Sequence, residues 1–240
     1  MLRLDDDAVA DYHRRGFGHV DAIADADTVA GLREAYDRIV GDEVDGGRLL
    51  GGLTRQLMLP SKYDPLFDAN PAFDGVQDIA RQLLGSDDVA RLFDMLITKP
   101  AGHPHATPWH QDVSYFAEPV APAGTPVLGI SLQFWIALDD VDEDNGCMHF
   151  VPGCHRDPMR EHRVAAGDPG EQSRLLEIVD PGEALPLADA VAVPLRAGGC
   201  TFHGEGTPHF TGPNRTADRP RRAYIVNMTT AAIAGALAAS

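Results

Sequence analysis

An imidazole and a carboxylate stand one residue apart in the run Pro108-Trp109-His110-Gln111-Asp112-Val113-Ser114-Tyr115-Phe116. On a strand, residues i and i+2 point to one face, so His110 and Asp112 are expected to reach a common ion. A second histidine follows far downstream in His209-Phe210-Thr211-Gly212-Pro213-Asn214, and Arg221-Arg222 comes soon after. Two histidines and one carboxylate on one face of a metal, with coordination positions left open, form the facial set of non-haem Fe(II) oxygenases. Neutral imidazoles retain the iron and the carboxylate neutralises charge. His-x-Asp alone carries little weight in a chain with 10 histidines. Its flanks add weight, because Trp109, Tyr115 and Phe116 can wall a dry site.

The elements that must position these groups divide the chain in two. Residues 5–15 read as a helix with an acidic start, and 16–20 as a short strand. Residues 25–44 form an amphipathic helix with Val29, Leu32, Ala35, Tyr36 and Ile39 on one stripe. Residues 45–70 read as irregular. Pro71 to Leu84 is a further helix, stopped by Gly85. Strands follow over 89–99, 127–138, 147–151, 190–194, 199–203 and 222–229, punctuated by Pro100-Ala101-Gly102, Asp142-Glu143-Asp144-Asn145-Gly146 and Pro152-Gly153. Short strands gathered in one half predict a mainly β fold with flanking helices. Its core is a double-stranded β-helix (jelly roll, cupin-like) over 89–229, with N-terminal helical wrapping over 1–88, in a single domain of 1–240. Residues 156–189 read as a long loop of the kind that serves as a lid.

Composition narrows the partners. Lys and Arg number 20 against 36 Asp and Glu, a formal charge of −16, which disfavours nucleic acid and anionic membrane surfaces. At 44% hydrophobic and 23% charged residues, the chain is an ordinary globule able to hold a dry site. Its cysteines, Cys147, Cys154 and Cys200, are odd in number and widely spaced. They read as buried thiols in a reducing, cytoplasmic setting. The start lacks an apolar signal segment, and the apolar tail 231–239 is too short to span a bilayer. A monomer or homodimer acting on a small molecule is expected. The excess of Arg over Lys, with abundant Ala, Asp and Gly, suggests a high-GC bacterial source.

Taken in order, several segments resemble the phytanoyl-CoA dioxygenase (PhyH) family of Fe(II)/2-oxoglutarate-dependent oxygenases. They are Leu96-Ile97-Thr98-Lys99-Pro100, Trp109 to Phe116, Trp135-Ile136-Ala137-Leu138-Asp139-Asp140, Asn145 to His155, His209 to Asn214, and Arg221-Arg222-Ala223, with Arg15-Gly16-Phe17 near the start. The combination is specific and covers roughly residues 89–229. It implies His110, Asp112 and His209 as iron ligands, with Fe(II), 2-oxoglutarate and O2 as cofactors. His203 competes with His209, but Thr211-Gly212-Pro213-Asn214 and an Arg twelve residues on favour His209. The retained Asp112 disfavours halogenation.

The resemblance also implies a site for the cosubstrate. Arg221 would grip its distal carboxylate by fork geometry, with Thr211 sharing it and Arg222 on the opposite strand face. Arg55 (or Lys62) would contact it from upstream, and Trp135 and Met95 would line its pocket. His103, His105, Tyr115 and Phe116 are candidate substrate contacts. Hydroxylation of a C–H bond in bacterial secondary metabolism, such as antibiotic biosynthesis, is the expected outcome. The same chemistry diverted to cyclisation, epimerisation or desaturation is one alternative, and a cupin-type metalloenzyme without 2-oxoglutarate is another.

Overall fold

The computed structural model describes residues 1–41, 49–50, 55–115, 130–165 and 175–238. Helix α1 (Asp6–Arg15) starts where the Asp5 carboxylate accepts from the Ala8 amide, and ends at Gly16, whose φ of 88° suits a residue without Cβ. A side chain at Gly16 would also strike the His155 ring, 2.4 Å from an added Cβ. Strand β1 (Phe17–Val20) and helix α2 (Ala26–Gly41) follow. After β2 (Leu49–Leu50) and β3 (Arg55–Met58), helix α3 (Pro71–Leu84) is capped by Asn70 and closed by left-handed Gly85.

Strand β4 (Val89–Lys99) begins the segment rich in strands. It is followed by β5 (Thr107–His110), β6 (Ser131–Ala137), β7 (Met148–Phe150), β8 (His162–Val164) and β9 (Leu176–Ile178). The short helix α4 (Pro181–Ala184) precedes β10 (Val191–Val193), β11 (Cys200–Gly204), β12 (His209–Thr211) and β13 (Arg221–Thr230), and α5 (Ala231–Ala238) comes last.

Two antiparallel sheets face each other in a jelly roll. The major sheet has the order β1-β11-β6-β13-β4-β3-β2, and the minor sheet β10-β7-β12-β5. Alternation sorts the side chains of the central strands. Phe134, Ile136, Tyr224 and Val226 pack with α2 and α3 on the outer side, while Trp135, Ala137, Ala223 and Ile225 pack with Phe150 and Met148 between the sheets. The N-terminal part contributes more than helical support, because β1 pairs with β11 and β3 with β4.

Two stretches expected to be irregular contain strands. Strand β3 lies within 45–70, hidden among Gly, Pro and Asp. The expected 156–189 loop contains the antiparallel β8–β9 pair, whose Val164 stands across from Leu176. Residues 166–174 of that stretch lie outside the described residues. Among the described residues no helix is long and apolar enough to cross a membrane. Cys147, Cys154 and Cys200 are buried free thiols.

Candidate active site

Strand β5 ends on His110, and Asp112 opens a 3-10 turn over Asp112–Tyr115. The pleat expected to align His110 with Asp112 is therefore absent, and the turn brings the carboxylate round instead. His209 opens β12, which pairs with both β5 and β7 and stands directly across from His110. The two imidazole centroids are 4.1 Å apart. Oδ1 of Asp112 lies 3.5 Å from His110 Nε2 and 3.6 Å from His209 Nε2. One potential ligand atom from each residue falls within 4.8 Å of the others, so a single ion can reach all three.

The backbone selects the tautomers. His110 Nδ1 lies 2.8 Å from the Pro108 carbonyl, and His209 Nδ1 lies 2.9 Å from that of Thr207. A carbonyl only accepts, so each Nδ1 carries the hydrogen and each Nε2 presents its lone pair. Burial, reinforced by the neighbouring His110 and His203, holds the His209 imidazole well below its ordinary pKa, and hence neutral. For Asp112, burial pushes upward, but the surrounding imidazoles of His209, His110 and His203 prevail, leaving the carboxyl well below the usual range. A neutral imidazole at His209 beside the ionised Asp112 carboxylate suits a divalent cation.

His203, the alternative distal histidine, takes a different place. Its Nε2 lies 3.2 Å from Oδ2 of Asp112, the oxygen turned away from the other two imidazoles. Fully buried beside Phe150, it grips the carboxylate from behind. Among the described residues, the group able to hold a metal is His110, Asp112 and His209.

The cavity containing these residues is about 370 Å³ and is lined also by Met95, Tyr115, Trp135, Thr211 and Arg221. Arg221 is buried, with its Nη2 donating to Thr211 Oγ1 at 3.2 Å and its guanidinium 5.4 Å from the Trp135 ring centroid. Among the described residues its Nε has no partner. Burial pushes the guanidinium pKa down to about 10. Arg222 faces outward and forms a forked pair with Asp139, as alternation along β13 requires.

Lys99 was not among the expected site residues. It stands across from Arg221, fully buried, and its Nζ donates to Thr211 Oγ1 at 2.8 Å and to the carbonyls of Thr211 and Gly212. Burial first, and then Arg221, hold its pKa well below the ordinary value. A lysine closing an apolar strand just before Pro100 was the available sequence signal, since lysine is rarely buried without a purpose. Both lone pairs of the Thr211 hydroxyl receive a cationic donor, so its own proton is left to donate elsewhere.

Several expected contacts lie elsewhere. Arg55 is exposed, because β3 turns Arg55 and Leu57 away from the cavity and presents Gln56 and Met58. Lys62 closes a 3-10 turn (Pro60–Lys62) and is also absent from the lining. His105 borders a separate cleft with Trp109 and Phe210, and His103 packs edge-on against His105. The cavity that holds His110 is distinct from this cleft. Tyr115 lines the cavity, with its hydroxyl accepting from the Leu176 amide at 3.1 Å. Phe116 lies outside the described residues. Gln111 is buried and fastens two loops: its Nε2 donates to the Gly206 carbonyl and its Oε1 accepts from the Arg160 amide.

A cupin-like jelly roll with two histidines, one carboxylate and a buried guanidinium in a shared cavity has the architecture of the non-haem iron, 2-oxoglutarate-dependent oxygenases. The family model for phytanoyl-CoA dioxygenase (PhyH) matches residues 12–223, and the chain belongs to this family. It is 33% identical over 173 residues to the mouse phytanoyl-CoA dioxygenase domain-containing protein 1, covering 71% of this chain and 55% of that protein. Against the curated relatives it matches, the chain spans about half their length (47%, 55% and 53% in the first three). Among solved structures it resembles EvdO2 of Micromonospora carbonacea var. aurantiaca, which was crystallised with 2-oxoglutarate. The identity is 31% and the TM-score 0.79, covering 96% of this chain and 92% of that one. It also resembles SnoN, an α-ketoglutarate-dependent epimerase of nogalamycin biosynthesis solved with Fe3+, α-ketoglutarate and nogalamycin RO. Here the identity is 28% and the TM-score 0.69, covering 94% and 83%.

Proposed function

We propose that residues 1–240 form one Fe(II)- and 2-oxoglutarate-dependent oxygenase domain that uses O2 to hydroxylate a C–H bond of a small organic molecule in bacterial secondary metabolism. The observation that carries this reading is Arg221. It is a buried cation without an ion pair among the described residues, in the same cavity as a His-Asp-His set. A buried charge is costly unless something compensates it, and an anionic cosubstrate does so.

His110, Asp112 and His209 hold the iron, with Nε2 of each imidazole turned to it. Arg221 and the Thr211 hydroxyl bind the distal carboxylate. Thr211 is two residues along β12 from His209, roughly 7 Å, a gap that a five-carbon diacid bridges. Trp135, Met95 and Ile225 exclude water from the diacid, and the rest of the cavity receives the organic substrate. The bound ferrous ion supplies oxygen activation coupled to oxidative decarboxylation of 2-oxoglutarate to succinate.

The test is anaerobic addition of Fe(II) and 2-oxoglutarate. A weak visible charge-transfer band is expected for the wild type and not for His110→Ala, with oxygen-dependent succinate release once a substrate is supplied. A wild type without the band, or a variant that keeps it, overturns the reading. A cupin-type metalloenzyme without 2-oxoglutarate has no use for Arg221 and is disfavoured. The 28% identity to the epimerase SnoN favours one second reading, in which the same cofactors invert a carbon centre. Product mass separates the two, because hydroxylation adds one oxygen atom and epimerisation none.

A further inference from the structure

Side chains facing the cavity form rungs across the major sheet. Arg221 makes one rung, with Lys99 across from it behind the lining, and Met95, Ile225 and Trp135 make another; Phe93, Asn227, Gln133 and His203 make a third. Six residues of β13 separate Arg221 from Asn227, roughly 20 Å at about 3.3 Å per residue. A diacid running from Arg221 to the metal ligands leaves the Asn227 rung uncovered.

That rung carries unmet hydrogen-bonding capacity. Asn227 and Gln133 are both buried, with 2% and 7% exposure. The Asn227 Nδ2 donates to Ser131 Oγ at 3.3 Å and to Gln133 Oε1 at 3.1 Å. Ser131 in turn donates to Glu205 Oε2 at 2.6 Å, so its oxygen can only accept, which orients the Asn227 amide. Asn227 Oδ1 is left buried with no partner among the described residues. The bond to Gln133 Oε1 leaves the Gln133 NH2 without an acceptor among the described residues. Buried polar groups in native proteins are satisfied; Asn227 Oδ1 is a buried acceptor that is not, and Gln133 stands beside it in the cavity lining.

Charge in the cavity is confined to other tasks. Among the described lining residues the charged side chains are Asp112 and Arg221, one assigned to the metal and one to the cosubstrate. Around the amide pair the wall carries Phe93, Met95 and Met58, with Gln56 and the His203 imidazole as polar members. An anionic group placed there would be desolvated with no uncommitted cation in the lining, and a cationic one would have only the Glu205 carboxyl behind Ser131 to face.

We infer that Gln133 and Asn227 form the recognition edge for the organic substrate, and that this substrate is a neutral molecule presenting a hydroxyl group. The hydroxyl donates to Asn227 Oδ1 and accepts from the Gln133 NH2, while the apolar body rests on Phe93 and Met95. The inference rests on the oxygenase reading above, since it assigns the Arg221 end to 2-oxoglutarate.

The experiment uses protein loaded with 2-oxoglutarate and Zn(II), a diamagnetic replacement for iron. Ligand-observed NMR compares three probes of similar shape: cyclohexanol, cyclohexanecarboxylate and cyclohexylamine. Cyclohexanol is expected to bind at least about fivefold more tightly than either charged probe. Asn227→Leu and Gln133→Met should each weaken it by about fivefold to tenfold. Should Asn227→Leu fail to fold, Gln133→Met and the ranking on the wild type decide. Equal binding of a charged probe, no binding of cyclohexanol, or folded variants that keep wild-type affinity overturn the inference. Calorimetric titration of 2-oxoglutarate on the same sample separates the two readings. Loss of diacid binding counts against the oxygenase reading, and loss of the alcohol preference alone counts against this one.

Discussion

Arg221→Met is expected to make the ligand-free protein more stable while removing most of its affinity for 2-oxoglutarate. In the native fold Arg221 is 1% exposed, its guanidinium makes one hydrogen bond to Thr211, and Nε is unpartnered among the described residues. Its pKa falls from 12.5 to about 10, which at about 1.4 kcal/mol per unit corresponds to about 3 kcal/mol of unfavourable burial. The folded pKa lies below the unfolded one, so this penalty is fully present below about pH 10 and is relieved only as pH rises from there. The neighbouring Lys99 carries a penalty of the same sign, part of it caused by Arg221. Methionine fills similar volume without charge, and such replacements of buried ions are neutral or stabilising by about 1–4 kcal/mol. Binding has the opposite sign. Loss of a forked, charge-assisted pair costs about 3 kcal/mol, or roughly a hundredfold in Kd. Melting of the ligand-free protein, calorimetric titration, and the melting shift at a fixed excess of 2-oxoglutarate measure both effects. If the variant is less stable than wild type without ligand and still binds 2-oxoglutarate within threefold, Arg221 is a structural cation and the cosubstrate assignment fails.

Other perturbations read separate parts of the site. Asp112→Ala should weaken Fe(II) binding and abolish the charge-transfer band, while the fold, followed by circular dichroism, stays intact. Burial raises the Glu205 carboxyl from 4.5 to about 7, so its folded form holds a proton more tightly than its unfolded form, and its stabilising effect fades as pH rises from about 4.5 through 7. Glu205→Gln should therefore stabilise the protein by up to about 3 kcal/mol at pH 8, and by little at pH 4.5, as measured by urea unfolding at both values. Gly146 has a φ of 92°, and an added Cβ would lie 2.5 Å from the Gly212 carbonyl oxygen, which accepts from Lys99. Gly146→Ala should destabilise by about 1–3 kcal/mol and also weaken 2-oxoglutarate binding, since the Thr211 turn must move; melting and titration report the two effects.

Local signals in the sequence predicted local structure well. The acidic start of 5–15, Pro71 and Gly85 mark helix ends because such signals act within a few residues, and the structure adds Asp5 and Asn70 as the caps. Strand β4 runs over the 89–99 expected from its β-branched and apolar residues and flanking turn signals. Strands β3, β8 and β9 escaped notice for a related reason. Each has only three or four residues set in a stretch rich in Gly, Pro or charged residues, whereas the equally short β7 and β10 stand out within apolar runs. The His-x-Asp spacing suggested the right cluster through the wrong geometry, since a strand pleat and a strand ending in a 3-10 turn both bring i and i+2 together.

Pairing between distant strands decided what the sequence left hidden. Nothing near Lys99 says that Arg221 stands opposite, and nothing near Asn227 says that Gln133 and then His203 continue its rung; only the register of β4, β13, β6 and β11 does so. That register also divides the labour between the sheets. The metal set comes from β5, the turn after it and β12 of the minor sheet, whereas Arg221, Trp135, Asn227 and Gln133 project from the major sheet. Substitutions at the Asn227 rung can therefore alter what is bound without touching a metal ligand. Substitutions at Lys99 or Thr211 cannot act so separately, because Thr211 shares its three-residue strand with His209. Substrate preference should vary on β6 and β13 at constant iron affinity, while changes on β12 alter both together.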